Sequence, residues 1–190
     1  MSKIAIYFPG IGYTADKPLL YYGRKAAYEA GFHEYRNVTY IYTRKDNLRG
    51  NDEKMKEVYE SLFPQAESQL TDIDWNAYDD VLFVSKSIGT IVAASYAKQY
   101  ELKQVSHILY TPLARTFDYT LKEAIGFIGT ADPWSNVDEI IKLSEKAGIP
   151  LNIYDNCNHS LECDDTFRNL EVLRNVMEKT FSFCRKSSCI

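Results

Sequence analysis

The chain has no apolar run long enough to cross a bilayer, so a membrane-spanning protein is not expected. Cysteine is scarce, with four residues at 157, 163, 184 and 189. They form no C-x-x-C pair and hold no metal-type spacing with any of the three histidines, which argues against a zinc module or a disulfide scaffold. A reduced, cytoplasmic protein is the expectation. The N-terminal Met1-Ser2-Lys3-Ile4 leads straight into a strand-like segment, so no signal peptide is expected. Basic residues are in no excess. Lys and Arg number 22 against 26 Asp and Glu, and the net charge of −4 disfavours partnership with nucleic acid or an anionic membrane surface. Glycine and proline gather into no linker, and there is no repeat or low-complexity stretch. A single domain over residues 1–190 is expected, large enough for a proper core.

What is present is an alternation of strand-like and helix-like segments. The strands predicted are Lys3–Phe8, Arg36–Tyr42, Asp80–Val84, Ser106–Tyr110, Ala124–Ile128 and Leu151–Tyr154. They are short and nearly continuous in apolar character, as suits strands covered on both faces. The helices predicted are Pro18–Ala30, Asp52–Leu70, Ile88–Tyr100, Val137–Ala147 and Thr166–Phe183. Thr14 or Asp16 is the candidate cap of the first, and Gly148-Ile149-Pro150 stops the fourth. This order implies an α/β fold: a mostly parallel sheet of about six strands between two helical layers. Ligands on such sheets bind beyond the C-terminal strand ends.

The chemistry concentrates at Ser85-Lys86-Ser87-Ile88-Gly89, between a buried strand and a helix. A serine on that tight turn presents its hydroxyl at the sheet edge, which is the setting of a G-x-S-x-G nucleophile elbow. Small residues are needed two places before and after it, and Ser85 and Gly89 meet that need. Ser87 is therefore the candidate nucleophile. A serine also needs a base. His33 and His107 lie near strand starts, at the opposite edge of the sheet. His159 follows the last strand and is the remaining choice. The acid that orients it is best placed at Asp132, just past the fifth strand; Asp155 and the more remote Asp118 are its competitors. For the oxyanion, the Ile88 N–H follows the nucleophile at a helix N-terminus. A second N–H is assigned to Ile11, in the Gly10-Ile11-Gly12 loop after the first strand.

With these residues in place the chain resembles the α/β-hydrolase superfamily, specifically its small, lid-poor, dienelactone-hydrolase-like members with a serine nucleophile. The resemblance spans nearly the whole chain. It rests on Phe8-Pro9-Gly10-Ile11-Gly12, Ser85-Lys86-Ser87-Ile88-Gly89-Thr90, Gly129-Thr130-Ala131-Asp132 and Asn158-His159-Ser160-Leu161-Glu162. It implies Ser87, Asp132 and His159 as nucleophile, acid and base, with Ile11 and Ile88 as oxyanion donors. It also implies an α/β-hydrolase fold lacking the first antiparallel strands. The departures are Pro9 where many members carry histidine, and Ser85 and Thr90 where glycines are common.

Four residues are carried as substrate-binding candidates: Tyr13, Lys86, Tyr110 and Trp134. Lys86 would attract a carboxylate-bearing substrate, although the plainer reading turns a residue beside the nucleophile away from the cleft. Tyr110 and Trp134 follow strand ends, as do Tyr42-Thr43-Arg44. Glu162 is read as a brace for the His159 loop or a cap of the last helix. The expected activity is hydrolysis of a small carboxylic ester or thioester without metal or organic cofactor. The alternatives are an acyltransferase and a non-catalytic binding protein on the same fold. A nucleotide-binding enzyme is disfavoured, because Asp16-Lys17-Pro18 delays the first helix beyond a pyrophosphate site and no acidic residue ends the second strand.

Overall fold

A computed structural model describes residues 1–43, 48–102 and 104–186. Its strands are β1 (Lys3–Phe8), β2 (Glu34–Asn37), β3 (Asp80–Lys86), β4 (Val105–Tyr110), β5 (Glu123–Gly129) and β6 (Leu151–Tyr154). Its longer helices are α1 (Pro18–Glu29), α2 (Asp52–Leu70), α3 (Ile88–Gln99), α4 (Val137–Ala147) and α5 (Thr166–Lys186). The six strands form one sheet in the order β2-β1-β3-β4-β5-β6, and every pairing is parallel. This is the three-layer α/β/α arrangement that the alternating segments predict.

Strand side chains alternate between two cores. Ile4, Ile6, Phe8, Val81 and Phe83 pack with Leu62, Ala66, Ile91 and Tyr96 of α2 and α3. Ala5, Tyr7, Leu82 and Val84 pack with Leu19, Leu20, Val172 and Val176 of α1 and α5. Helix α3 is buried from Ile88 to Ala97, so its first turn is held rigidly against the sheet's C-terminal edge. Gly89 makes that approach possible. A Cβ there would collide with the Phe8 and Pro9 carbonyl oxygens. Helix α4 is bounded by an Asn136 side chain that accepts the Glu139 N–H and by Gly148 in the left-handed region.

Two local expectations are corrected. The second strand is not Arg36–Tyr42 but Glu34–Asn37, with Val38 N–H still donating to the Tyr7 carbonyl. Beyond that point β1 ends at Phe8, and residues 39–41 pair with no strand among the described residues. Two glutamines of α2 substitute for it. Gln69 bonds both the N–H and C=O of Thr39, and Gln65 does the same for Ile41. The apolar, β-branched composition is therefore present without the ladder. Neither Thr14 nor Asp16 caps α1; Lys17 is its N-cap residue and makes no side-chain cap bond.

Candidate active site

The elbow is built by the backbone. Ser87 has φ 56° and ψ −128°, a strained conformation for a residue with a Cβ. It is held by its own N–H, which donates to the Tyr110 carbonyl, and by Thr90, whose N–H and hydroxyl both donate to the Ser87 carbonyl. Ser85 is fully buried and its hydroxyl donates to the Ile108 carbonyl, so the small residue at this place also ties β3 to β4.

Opposite the elbow, the loop after β6 carries His159. Gly129, at the end of β5, lets that loop descend, since a Cβ there would collide with the Cys157 carbonyl. Asn158 then folds the loop, its N–H donating to the Glu162 carbonyl and its Oδ1 accepting the Ser160 N–H. The brace expected of Glu162 is thus made by its main chain, while its side chain is exposed.

These elements bring Ser87, His159 and Asp132 into one row. Ser87 Oγ lies 2.8 Å from His159 Nε2, and His159 Nδ1 lies 2.7 and 2.9 Å from the two Asp132 carboxylate oxygens. A carboxylate only accepts, so Nδ1 carries the proton and Nε2 is left to accept from the serine hydroxyl. Asp132 also accepts the Trp134 N–H at 2.8 Å, which fixes its orientation. Its side chain is fully buried and that of His159 is 12% exposed. Burial is the main cause that pulls the His159 pKa below its ordinary value, and the Lys86 charge pulls the same way. The imidazole is consequently neutral at pH 7. Asp155 and Asp118 are exposed, with no bond to His159 among the described residues. His107 is buried near the start of β4, and His33 lies against Tyr28 away from this edge.

A cavity of about 240 Å³ opens beside the row. Ile11, Tyr13, Lys86, Ser87, Ile88, Trp134 and His159 all line it. The Ile11 and Ile88 N–H groups have no acceptor among the described residues. The Trp134 ring lies 5.7 Å from the His159 ring, shielding its outer side. Lys86 does not turn away from the cleft as its plainer reading held. It lines the cavity, with Nζ over the Tyr13 ring at 4.7 Å from the centroid. Tyr110 is absent from the cavity. It is fully buried between α1 and α5 with its hydroxyl 2.8 Å from Thr180 Oγ1, because its strand position faces the helical layer rather than the edge. Arg44 lies outside the described residues. Leu48, Met55 and Ser160 line the cavity without having been singled out. Leu48 and Met55 arrive from the start of α2, where Arg49 Nε donates to the Pro133 carbonyl at 2.6 Å and ties this segment to the Asp132 loop. No local pattern marks either residue.

In the first turn of α1 the Leu19 N–H already donates to the Tyr13 hydroxyl. Among the described residues no cluster of His, Cys, Asp or Glu could hold a metal ion. No described helix is long and apolar enough to cross a membrane.

No family model and no curated protein matches the chain. Solved structures do. Est1E from Butyrivibrio proteoclasticus superposes with a TM-score of 0.69 at 11% identity, covering 100% of this chain and 89% of that one. The esterase Pf2001 of Pyrococcus furiosus gives 0.64 at 14% identity, covering 97% and 83%. A lidless α/β serine hydrolase from Xanthomonas campestris gives 0.59 at 15% identity, covering 95% and 81%. At identities this low the likeness speaks for architecture, and on that ground the chain has the α/β-hydrolase fold.

Proposed function

We propose that the protein is a serine hydrolase that cleaves a small carboxylic ester or thioester through an acyl-enzyme on Ser87. The observation that carries this reading is the unbroken row from Asp132 through His159 to Ser87, held at hydrogen-bond distance beside a cavity. The superposed esterase and serine hydrolase are consistent with it.

Neutral His159 takes the Ser87 proton on Nε2 while Oγ attacks the substrate carbonyl. The tetrahedral oxyanion sits against the Ile88 N–H, at the N-terminus of α3, and the Ile11 N–H. The imidazolium, stabilised by buried Asp132, then gives its proton to the leaving alkoxide or thiolate as the carbon–oxygen or carbon–sulfur bond breaks. Water then attacks the acyl carbonyl as it loses a proton to His159; the bond from the carbonyl carbon to Ser87 Oγ breaks, the carboxylic acid departs and the imidazolium returns its proton to Oγ. Asp132 keeps its charge throughout. The reaction as written uses side chains and backbone alone and calls for no cofactor.

The size of the cavity favours short acyl groups, so acetyl and butyryl esters should be cleaved faster than palmitoyl esters. A cytoplasmic location suits Cys157, Cys163 and Cys184, which form no disulfide among the described residues, and a small-molecule substrate rather than nucleic acid suits the acidic charge balance. The dienelactone-hydrolase-like subtype is proposed on the same motifs that carry the resemblance.

Initial-rate assays with 4-nitrophenyl acetate and an acetyl thioester test the proposal. Ser87→Ala should lower kcat by orders of magnitude, up to roughly 10⁶ for a well-tuned site. Equal residual rates in wild type and Ser87→Ala would overturn the acyl-enzyme.

A further inference from the structure

Lys86 is 3% exposed and lines the same cavity as Ser87 and His159. Buried ammonium groups are normally paired, because removing a charge from water is costly. This one is not. Among the described residues it makes no ion pair and donates no hydrogen bond, and its Nζ lies over the face of Tyr13, 4.7 Å from the ring centroid. Two carboxylates act on it only from a distance. Asp132 is bonded to His159, and Glu162 is exposed to solvent. Tyr13 accepts the Leu19 N–H, and burial raises its pKa to about 12, so it carries no charge. His159 is neutral and adds none.

An unpaired amine in a packed core would ordinarily be replaced by an apolar side chain. Here the side chain instead lies on the cavity wall, with Nζ over the Tyr13 ring. We propose that Lys86 is a recognition residue of the Ser87 cavity, and that the substrate is an ester or thioester carrying a second, carboxylate group that pairs with it. The proposal rests on the serine-hydrolase reading for its reaction but not for its binding step. Burial holds the Lys86 pKa down to about 7, with the Asp132 and Glu162 charges opposing that shift. A carboxylate in the cavity supplies the missing counter-charge, so binding should draw a proton onto the amine near neutral pH.

The binding test uses Ser87→Ala protein, glutarate as the probe and glutaramide as its neutral counterpart, read by calorimetry in buffers of different ionisation enthalpy. Glutarate should bind with proton uptake and glutaramide should not. Adding Lys86→Met or, where that variant folds poorly by circular dichroism, Lys86→Gln should weaken glutarate by roughly tenfold to a hundredfold and abolish the uptake. The kinetic test compares kcat/KM within each enzyme. Monomethyl glutarate against methyl valerate places the carboxylate on the acyl side, and 4-acetoxybutyrate against pentyl acetate places it on the alcohol side. A preference for the charged member of either pair that disappears in Lys86→Met supports the proposal and says which side carries the anion. Equal glutarate affinity with and without Lys86, or no binding by the parent protein, overturns it. If Ser87 proves unreactive but glutarate still binds through Lys86, the hydrolase reading fails and the recognition site stands.

Discussion

At the scale of single residues the state of His159 depends on which carboxylate serves it. Asp132 holds both Nδ1 contacts and is itself oriented by the Trp134 N–H. Asp132→Asn should therefore cost roughly 10⁴ in kcat by stabilising the wrong imidazole tautomer. Asp155→Asn, at an exposed site, should leave kcat within about twofold. The pH profile follows from the same environment. Burial disfavours the imidazolium, so the acid limb of kcat/KM should fall below the ordinary histidine value of about 6.5, and activity should drop as pH falls through it. Lys86→Met removes a charge that also disfavours imidazolium, and should move that limb upward. Ser87, Asp132 and His159 were all legible as residue types at strand ends. The path of Lys86 was not, because it depends on Tyr13, brought beside it by the loop after another strand.

At the scale of elements the site depends on two close backbone approaches. Gly89 admits the first turn of α3 against the end of β1, and Gly129 admits the loop after β6 against the end of β5. Replacing either by alanine forces main chain against main chain. Such a change should cost several kcal/mol of stability or displace the serine or the histidine. Urea unfolding read beside activity separates the two results, and an alanine variant with native stability and rate would contradict the packing described. The interior strands β1, β3 and β5 were readable because both faces are buried and apolar character runs without a break. The stretch after β2 misled for a physical reason. Its composition suits a strand, but its backbone is satisfied by Gln65 and Gln69, long-range partners that no local pattern reveals. Likewise Tyr110 sits at a strand end as a pocket residue would, yet strand alternation turns it toward Thr180 of α5.

At the scale of the whole molecule the sheet carries the site on one edge and a second buried histidine near the other. His107 is 2% exposed, its Nδ1 has no partner among the described residues, and burial holds its pKa down to about 3. Its unfolded value is about 6.5, so the unfolded chain binds the extra proton first as pH falls. Stability should therefore be unaffected by this group above about pH 6.5 and fall by about 1.4 kcal/mol per pH unit below it, until the folded pKa is reached. His107→Leu should flatten that decline in urea midpoints measured between pH 7 and 5, and an unchanged slope would count against it. The layered architecture, the all-parallel sheet and the gathering of functional residues at the C-terminal strand ends follow from the alternation of β and α segments, which is why the architecture was readable where the cavity wall was not. Leu48 and Met55 reach that wall from the segment just ahead of α2 and from its first turn.

The central claim is that Ser87 is an activated nucleophile. Fluorophosphonate labelling of wild type, Ser85→Ala and Ser87→Ala, with the modified peptide located by mass, tests it most directly. One label on Ser87 is expected in wild type and in any folded Ser85→Ala protein, and none in Ser87→Ala. Folded wild-type protein that takes up no label, or that is labelled elsewhere, would contradict it.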